Sequence, residues 1–427
     1  MLPMLPLLVL LLLAPVAQAS PAVEGRDIPS GTVPAAIASP GEHLLYGPVR
    51  NGLMIRVPVF SYDPNSGATY GLAAAWLVTN SSSTIRLIHA PSFTYNPHFG
   101  ATASYDFFYF FSPRTSARTI LSLSQYWNRQ AAAEFQTSDF RGSGVSLAAR
   151  VEQLRDGSRR FYGLGPSSSR DDASNYTLDT INYAASAGVP LSPDGALRLR
   201  LRNSVQADEI EGSFPPLPDT VKKFPEETRG LQGRKVNVSN RATLAYDTRD
   251  GAEVPAKGTD AELFYGVSHH ALLSAYNYIR YGASAKAFFP EGADSADPPF
   301  IAAVEARFEN INGTAPFWLM SQLGGKFSLR AYGDGRFVDH SMAVVNFEQR
   351  CRLYSLTYSG VPLSFWADPF IGAGTVAREP DILAAKTFHP AAGIAFRVVS
   401  RPQVVESLDF AYGQEGLQTF LDFKYSF

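Results

Sequence analysis

The sequence predicts an all-β fold: a transmembrane antiparallel β-barrel of about 16 strands. Three observations predict it. Beyond residue 20 no run of 18 or more apolar residues occurs, so there is no candidate membrane helix. From residue 46 to residue 427, segments of about 9 to 15 residues alternate apolar and polar positions, with turn residues between them. Tyr (20) and Phe (29) are abundant, as girdles of aromatic side chains at two membrane interfaces require. No segment sustains a capped helical period, so an all-β reading conflicts with nothing else in the chain.

The N-terminus reads as an export signal. Leu7 to Leu13 is an unbroken apolar run, and Ala17-Gln18-Ala19 fits the small-x-small cleavage rule. Residues 1–19 are therefore expected to be a signal peptide, with Ser20 the first mature residue. Residues 20–45, rich in Pro, Ala, Gly and Ser without periodicity, form an expected periplasmic linker, and 46–427 the barrel. Strands are expected near 66–78, 84–95, 103–113, 119–136, 146–162, 176–190, 196–210 and 238–247. They continue near 259–268, 276–289, 300–309, 342–354, 363–375, 390–399, 405–413 and 417–427.

Some of these alternate cleanly. Leu197, Leu199 and Leu201 share one face and Arg198, Arg200 and Arg202 the other, so the leucines are assigned to lipid and the arginines to a wet lumen. Glu305 and Arg307 oppose an apolar face of Phe300, Ala302, Val304, Ala306 and Phe308. Glu348, Arg350 and Arg352 oppose Val345, Phe347 and Leu353. In the terminal strand, Leu417, Thr419, Leu421, Phe423, Tyr425 and Phe427 are expected on one face. Leu191 to Gly195 reads as a tight turn, and 211–237 as a long polar loop with several prolines. Short turns belong on the periplasmic side and long loops outside, and an even strand count puts both ends of the chain in the periplasm.

Composition excludes several classes. The net charge is -2 with no basic block, so no nucleic-acid partner is expected. The single cysteine, Cys351, cannot form an internal disulfide and reads as a small apolar strand residue. No nucleophile elbow, zinc-binding His-Glu-x-x-His, phosphate loop or dinucleotide glycine pattern occurs. The chain is expected to be neither an enzyme nor a metal or cofactor protein.

Four segments carry a family resemblance. The strongest runs from Leu323-Gly324-Gly325 through Leu329-Arg330-Ala331-Tyr332 and Gly335-Arg336-Phe337 to Glu348-Gln349-Arg350. Tyr246-Asp247-Thr248-Arg249-Asp250, followed by Lys257-Gly258, is the second. Phe161 to Gly165 and the terminal strand complete the set. Together they resemble the BamA/TamA-type bacterial surface antigen family of outer-membrane assembly and translocation barrels.

The resemblance implies that the loop carrying Gly325, Arg330 and Tyr332 folds into the lumen, where Arg330 meets an acid of the inner wall. A buried guanidinium needs its donors matched, which a carboxylate does bidentately. Glu348, Asp368 and Asp409 are the candidate partners. The family's Gly after the arginine is Ala331 here, and an acid expected two residues after Phe370 is Gly372. Asp247, Arg249, Asp250 and Gly258 would form a structural hairpin. Phe423, Tyr425 and Phe427 would form a terminal signal that the barrel assembly machinery binds by edge pairing during biogenesis. The family's periplasmic POTRA domains are not expected before this barrel, so a periplasmic partner would supply that role. Outer-membrane lipid is the surrounding medium. Two functions compete: protein insertion or transport across the outer membrane, and a passive pore or structural surface barrel that no longer handles clients.

Overall fold

Alternation at period two gives every strand one apolar and one polar face, and such strands can bury both only by closing a cylinder in lipid. The computed structural model describes residues 46–49, 52–79, 85–292, 297–358, 361–381, 387–400, 403–422 and 425–427; the expected signal peptide, linker and Phe423 lie outside the described residues.

The first part of the chain forms β1 (Tyr46–Val49), β2 (Gly52–Asp63), β3 (Gly67–Thr79), β4 (Ile85–Asn96), β5 (Gly100–Ser112), β6 (Thr115–Ser124) and β7 (Arg129–Thr137). The middle forms β8 (Ser146–Phe161), β9 (Ser174–Pro190), β10 (Leu197–Glu211), β11 (Lys235–Asp247), β12 (Gly258–Ser268), β13 (Asn277–Glu291) and β14 (Phe300–Thr314). The last part forms β15 (Ser321–Leu323), β16 (Phe337–Asp339), β17 (Ser341–Tyr358), β18 (Val361–Ala377), β19 (His389–Ser400), β20 (Gln403–Gly413) and β21 (Gly416–Asp422). Sequential antiparallel neighbours from β2 to β14 and β17 to β21 close on themselves through β21 and β2, which gives 18 barrel strands. β1 lies outside that circle, and β15 and β16 pair in a small hairpin of their own.

The count exceeds the expected 16 for two local reasons. Residues 52–63 were not read as a strand, although they pair with β3 along their whole length. The expected strand 119–136 is two strands, split at 125–128, where Trp127 takes a φ of +62°. That turn holds no Gly or Pro, so its sequence gives little sign of a reversal.

The hydrophobic pattern is inverted relative to a water-soluble domain. Leu72, Phe93, Leu123, Leu201, Leu263, Ile371 and Tyr412 are exposed on the outside, while Glu305, Glu348, Asp368, Arg350 and Arg397 are buried inside. Water would penalise such an apolar belt; lipid does not. Arg200 and Arg202 line the lumen as expected. The two longest described connections, 212–234 and 315–340, leave the same end of the barrel, which is therefore the outward end. The first contains the one-turn helix α1 (Thr220–Lys223), N-capped by Asp219.

The chain end departs from expectation. Beyond β21 (Gly416–Asp422), Tyr425 and Phe427 do not continue the outward face of Leu417. They turn into the barrel and pack with Val254, Ala256, Phe288, Ile301, Ala303, Trp366 and Val399.

Candidate functional site

Two features converge on the β17–β21 side: a loop folded into the lumen, and the seam where the barrel closes.

The loop between β15 and β16 descends from the outward end. Its backbone needs conformations open to few residues: Gly324 and Gly325 have φ of +119° and +87°. A Cβ on Gly324 would lie 2.3 Å from the Gly333 carbonyl oxygen, so the loop can double back only with glycine there. The Gly325 amide closes the reversal by donating to the Tyr332 carbonyl (2.9 Å). Leu323, Leu329, Ala331, Tyr332 and Phe337 pack on Met342, Val344, Phe370, Val376, Ala391, Ala395 and Ala411 of the wall. At about 1.5–3 kcal/mol per large buried side chain, this dry face holds the loop more strongly than any single polar contact.

The polar contacts set its position. Arg330, 1% exposed, donates through Nη1 to Glu348 (2.7 Å) and to Asp409 (3.3 Å). Its Nη2 makes no hydrogen bond, so the expected bidentate fork is not formed; instead the guanidinium lies 3.4 Å over the Phe370 ring. Asp368 does not pair with Arg330. It accepts from Arg397 and from the Cys351 amide (3.0 Å). The forked arginine is Arg397, whose Nη1 and Nη2 reach the two oxygens of Glu348 (3.0 and 2.9 Å). Arg350 Nε donates to Glu348 as well (3.1 Å). Three guanidinium groups thus face three carboxylates, and a buried cluster is tolerable only when its charges cancel in this way. Where the family's acid would stand, Gly372 leaves room for Asn346, which bridges Glu305 (3.0 Å) and the Ser328 carbonyl (2.8 Å).

Ala331 takes a φ of +90°. The position is the left-handed one that suits the family's glycine, and alanine holds it under strain.

The hairpin residues gather at the opposite end. Arg249 binds Asp247 (3.1 Å) and Asp260 (2.8 Å). Asp250 accepts from the amides of Ala256 (2.9 Å) and Lys257 (3.3 Å). Gly258 has a φ of +101°, with the Thr248 carbonyl oxygen 2.4 Å from where a Cβ would stand. This turn is drawn into the lumen: Arg350 donates to the Pro255 carbonyl (3.0 Å) and to the Phe427 carbonyl (2.9 Å), and its guanidinium lies 3.8 Å from the Tyr425 ring centre. One arginine therefore ties the 248–257 turn and residues 425–427 to the charge cluster.

The seam is thin. β20 and β21 pair from Ser407↔Asp422 to Gly413↔Gly416, whereas β21 and β2 meet at one described pair, Tyr62↔Leu421. The same β2 edge holds β1 lower down, from Tyr46↔Ile55 to Val49↔Gly52.

Beside the loop, a polar cavity of about 1260 Å³ is lined by Arg200, Arg202, Arg241, Glu262, Glu305 and Glu309 among others. Among the described residues no group of His, Cys, Asp and Glu could hold a metal ion. Sequence reasoning missed Arg397 and Asn346, and it placed Arg350 on the polar face of its strand without giving it a role. The parity that put Glu348 and Asp409 in the lumen applies equally to these residues, and would have found them.

Likeness to known proteins decides the family. The Omp85 superfamily domain matches residues 114–414. The chain belongs to the Omp85 superfamily. An Omp85 barrel is an outer-membrane protein, of the BamA/TamA type that the sequence motifs indicated. Among solved structures, the chain is similar to BamA from Haemophilus ducreyi lacking POTRA domains 1–3: TM-score 0.54 and 15% identity, over 77% of this chain and 68% of that one. It also matches CdiB from Escherichia coli (TM-score 0.48, 11% identity) and CdiB from Acinetobacter baumannii (TM-score 0.46, 10% identity). Each match covers 88% of this chain, which spans 62% and 60% of those two CdiB chains. At these identities the likeness is one of fold. No curated protein matches the sequence.

Proposed function

We propose that this Omp85 barrel aids the insertion or transport of polypeptide at the outer membrane, working at the seam between β2 and β21. The observation that carries the proposal is the contrast, among the described residues, between the single β2–β21 pair and the complete pairing of β2 with β3. An edge with free amides and carbonyls in a low-dielectric medium templates an incoming strand, because every such group must find a partner there. In this reading the chain catalyses no covalent chemistry. The lumen loop and the charge cluster are the brace that keeps the wall standing while the seam works. A client would arrive from the periplasmic side, presented by a partner protein there.

A cysteine at Ser61 on the β2 edge, in a Cys351→Ser background, tests this. Crosslinks to nascent barrel proteins in cells are the expected result, and their absence from every position between 58 and 62 would sink the reading. The polar cavity favours a second reading, a passive pore. Planar-bilayer recording separates the two. The insertion reading expects the purified protein to be closed, because the loop and the Tyr425–Phe427 segment occupy the lumen, whereas steady conductance that Arg330→Ala enlarges would favour the pore.

A further inference from the structure

The loop that carries Arg330 does more than lean on the wall: its segment from Tyr332 to Arg336 touches both hairpins that flank the seam. On one side lies the β2–β3 turn. Asn65 donates from Nδ2 to the Asp334 carbonyl (2.9 Å), and a Cβ on Gly333 would stand 2.6 Å from Asn65 Oδ1, so the loop backbone rests directly on this turn. The turn itself is stiff. Asp63 Oδ1 accepts from the amides of Asn65 (2.8 Å) and Ser66 (3.1 Å), and Arg160 donates to the Asn65 carbonyl (2.7 Å).

On the other side lies the β20–β21 turn. The Tyr332 hydroxyl accepts from the Gln414 amide (3.2 Å) and donates to the Pro390 carbonyl (3.1 Å). Arg336 donates from Nε to Glu415 (2.7 Å) and from Nη2 to the Ser168 carbonyl (2.8 Å), with its guanidinium between the rings of Tyr162 and Phe337. Gly413 permits this approach; a Cβ there would be 3.0 Å from both Ala331 Cβ and the Tyr332 hydroxyl.

We propose that residues 332–336 form a strap across the outward end of the seam, holding the β2–β3 and β20–β21 hairpins together beside the Tyr62↔Leu421 pair. The two attachments differ in kind. The β20–β21 side has a charge-assisted contact, Arg336–Glu415, plus Tyr332, whereas the β2–β3 side has one neutral hydrogen bond from Asn65. Charge-assisted bonds are about twice as strong as neutral ones. The strap therefore lets go of Asn65 first and stays on the β20–β21 hairpin when the seam parts. Asn65, Tyr332, Arg336 and Glu415 act as positioning residues for seam opening. The strap deepens the insertion reading but its test does not depend on a client.

The test is backbone hydrogen exchange of the purified full chain in lipid nanodiscs, comparing the seam peptides (58–63 and 416–422) with the β6–β7 hairpin as an internal control. Asn65→Ala, which removes the bond that breaks when the seam parts, should speed exchange at the seam several-fold, the change expected for one lost neutral hydrogen bond. Arg336→Gln and Glu415→Gln, which weaken the attachment that persists in the open seam, should speed it less, and β6–β7 should not change. If the Arg336 variant fails to fold, Asn65→Ala and Glu415→Gln still read the two ends of the strap. Seam exchange at the native rate in folded variants, or an equal rise in β6–β7, would overturn the strap. Neither outcome bears on whether clients crosslink to the β2 edge, so its failure and that of the insertion reading remain distinguishable.

Discussion

Arg330 shows how much of a buried charge's effect lies in its geometry. Its ion pairs come from one nitrogen, and its face is used against Phe370. Lysine can supply one nitrogen but no planar face, and methionine supplies neither. Arg330→Lys should therefore cost about 1–2 kcal/mol, the scale of a desolvated cation–π contact. Arg330→Met should cost about 3–5 kcal/mol, because it removes a cation that Glu348 and Asp409 share in a dry site. Urea unfolding followed by the heat-dependent shift in gel mobility reads both; no loss in Arg330→Lys would show that the Phe370 contact contributes nothing. Ala331 poses a subtler balance. Glycine would relieve a strain of about 1–2 kcal/mol, but it would lose a buried methyl worth about 0.8 kcal/mol and add chain entropy of about 0.5–1 kcal/mol. Ala331→Gly should thus be neutral to within about 1 kcal/mol, whereas Ala331→Val, β-branched at a φ of +90° and pressed against Gly413, should destabilise clearly. Thermal midpoints of the two variants check the sign.

At the scale of elements, turns decide what the strands can do. Gly258 is the hinge of the inward 248–257 turn, and Gly258→Ala drives a Cβ into the Thr248 carbonyl at a φ of +101°. The turn should lift away from Arg350, and protease sensitivity or amide exchange across 248–257 should rise while β17 stays protected. Unchanged protection of that turn would mean that its tuck does not depend on the glycine. The same scale explains what the sequence could disclose. Alternation along β10, β14 and β17 is a local property, so the lipid and lumen faces and the acids Glu348 and Asp409 were legible. The 125–128 turn was not, because Trp127 makes the left-handed step that glycine or asparagine would have signalled. Nor was the tuck of Tyr425 and Phe427, since their period-two spacing continues β21 and only the presence of Arg350 and the 248–257 turn inside the barrel diverts them. Asp368 shares a parity with Glu348 and Asp409, and only three-dimensional spacing assigns it to Arg397 rather than to Arg330. Contacts such as Asn65–Asp334 and Arg336–Glu415 join residues 269 and 79 positions apart, and they exist only because the sheet closes.

As a whole the molecule is a cylinder braced on one side and thin at one line. The brace, made of the loop, the charge cluster and the 248–257 turn, sits on β17 to β20 beside the seam, and the polar cavity fills the rest. Such an arrangement stiffens one flank while β2 and β21 share a single pair among the described residues, which suits the templating of an incoming strand better than an open channel. Locking the seam tests this most directly. In a Cys351→Ser background, Tyr62→Cys and Leu421→Cys, register partners across the seam, are oxidised to a disulfide. Insertion of an unfolded barrel protein into vesicles carrying the locked protein is then timed before and after reduction. The account predicts that insertion is lost in the oxidised protein and returns on reduction; insertion by the oxidised protein at the reduced protein's rate would contradict it.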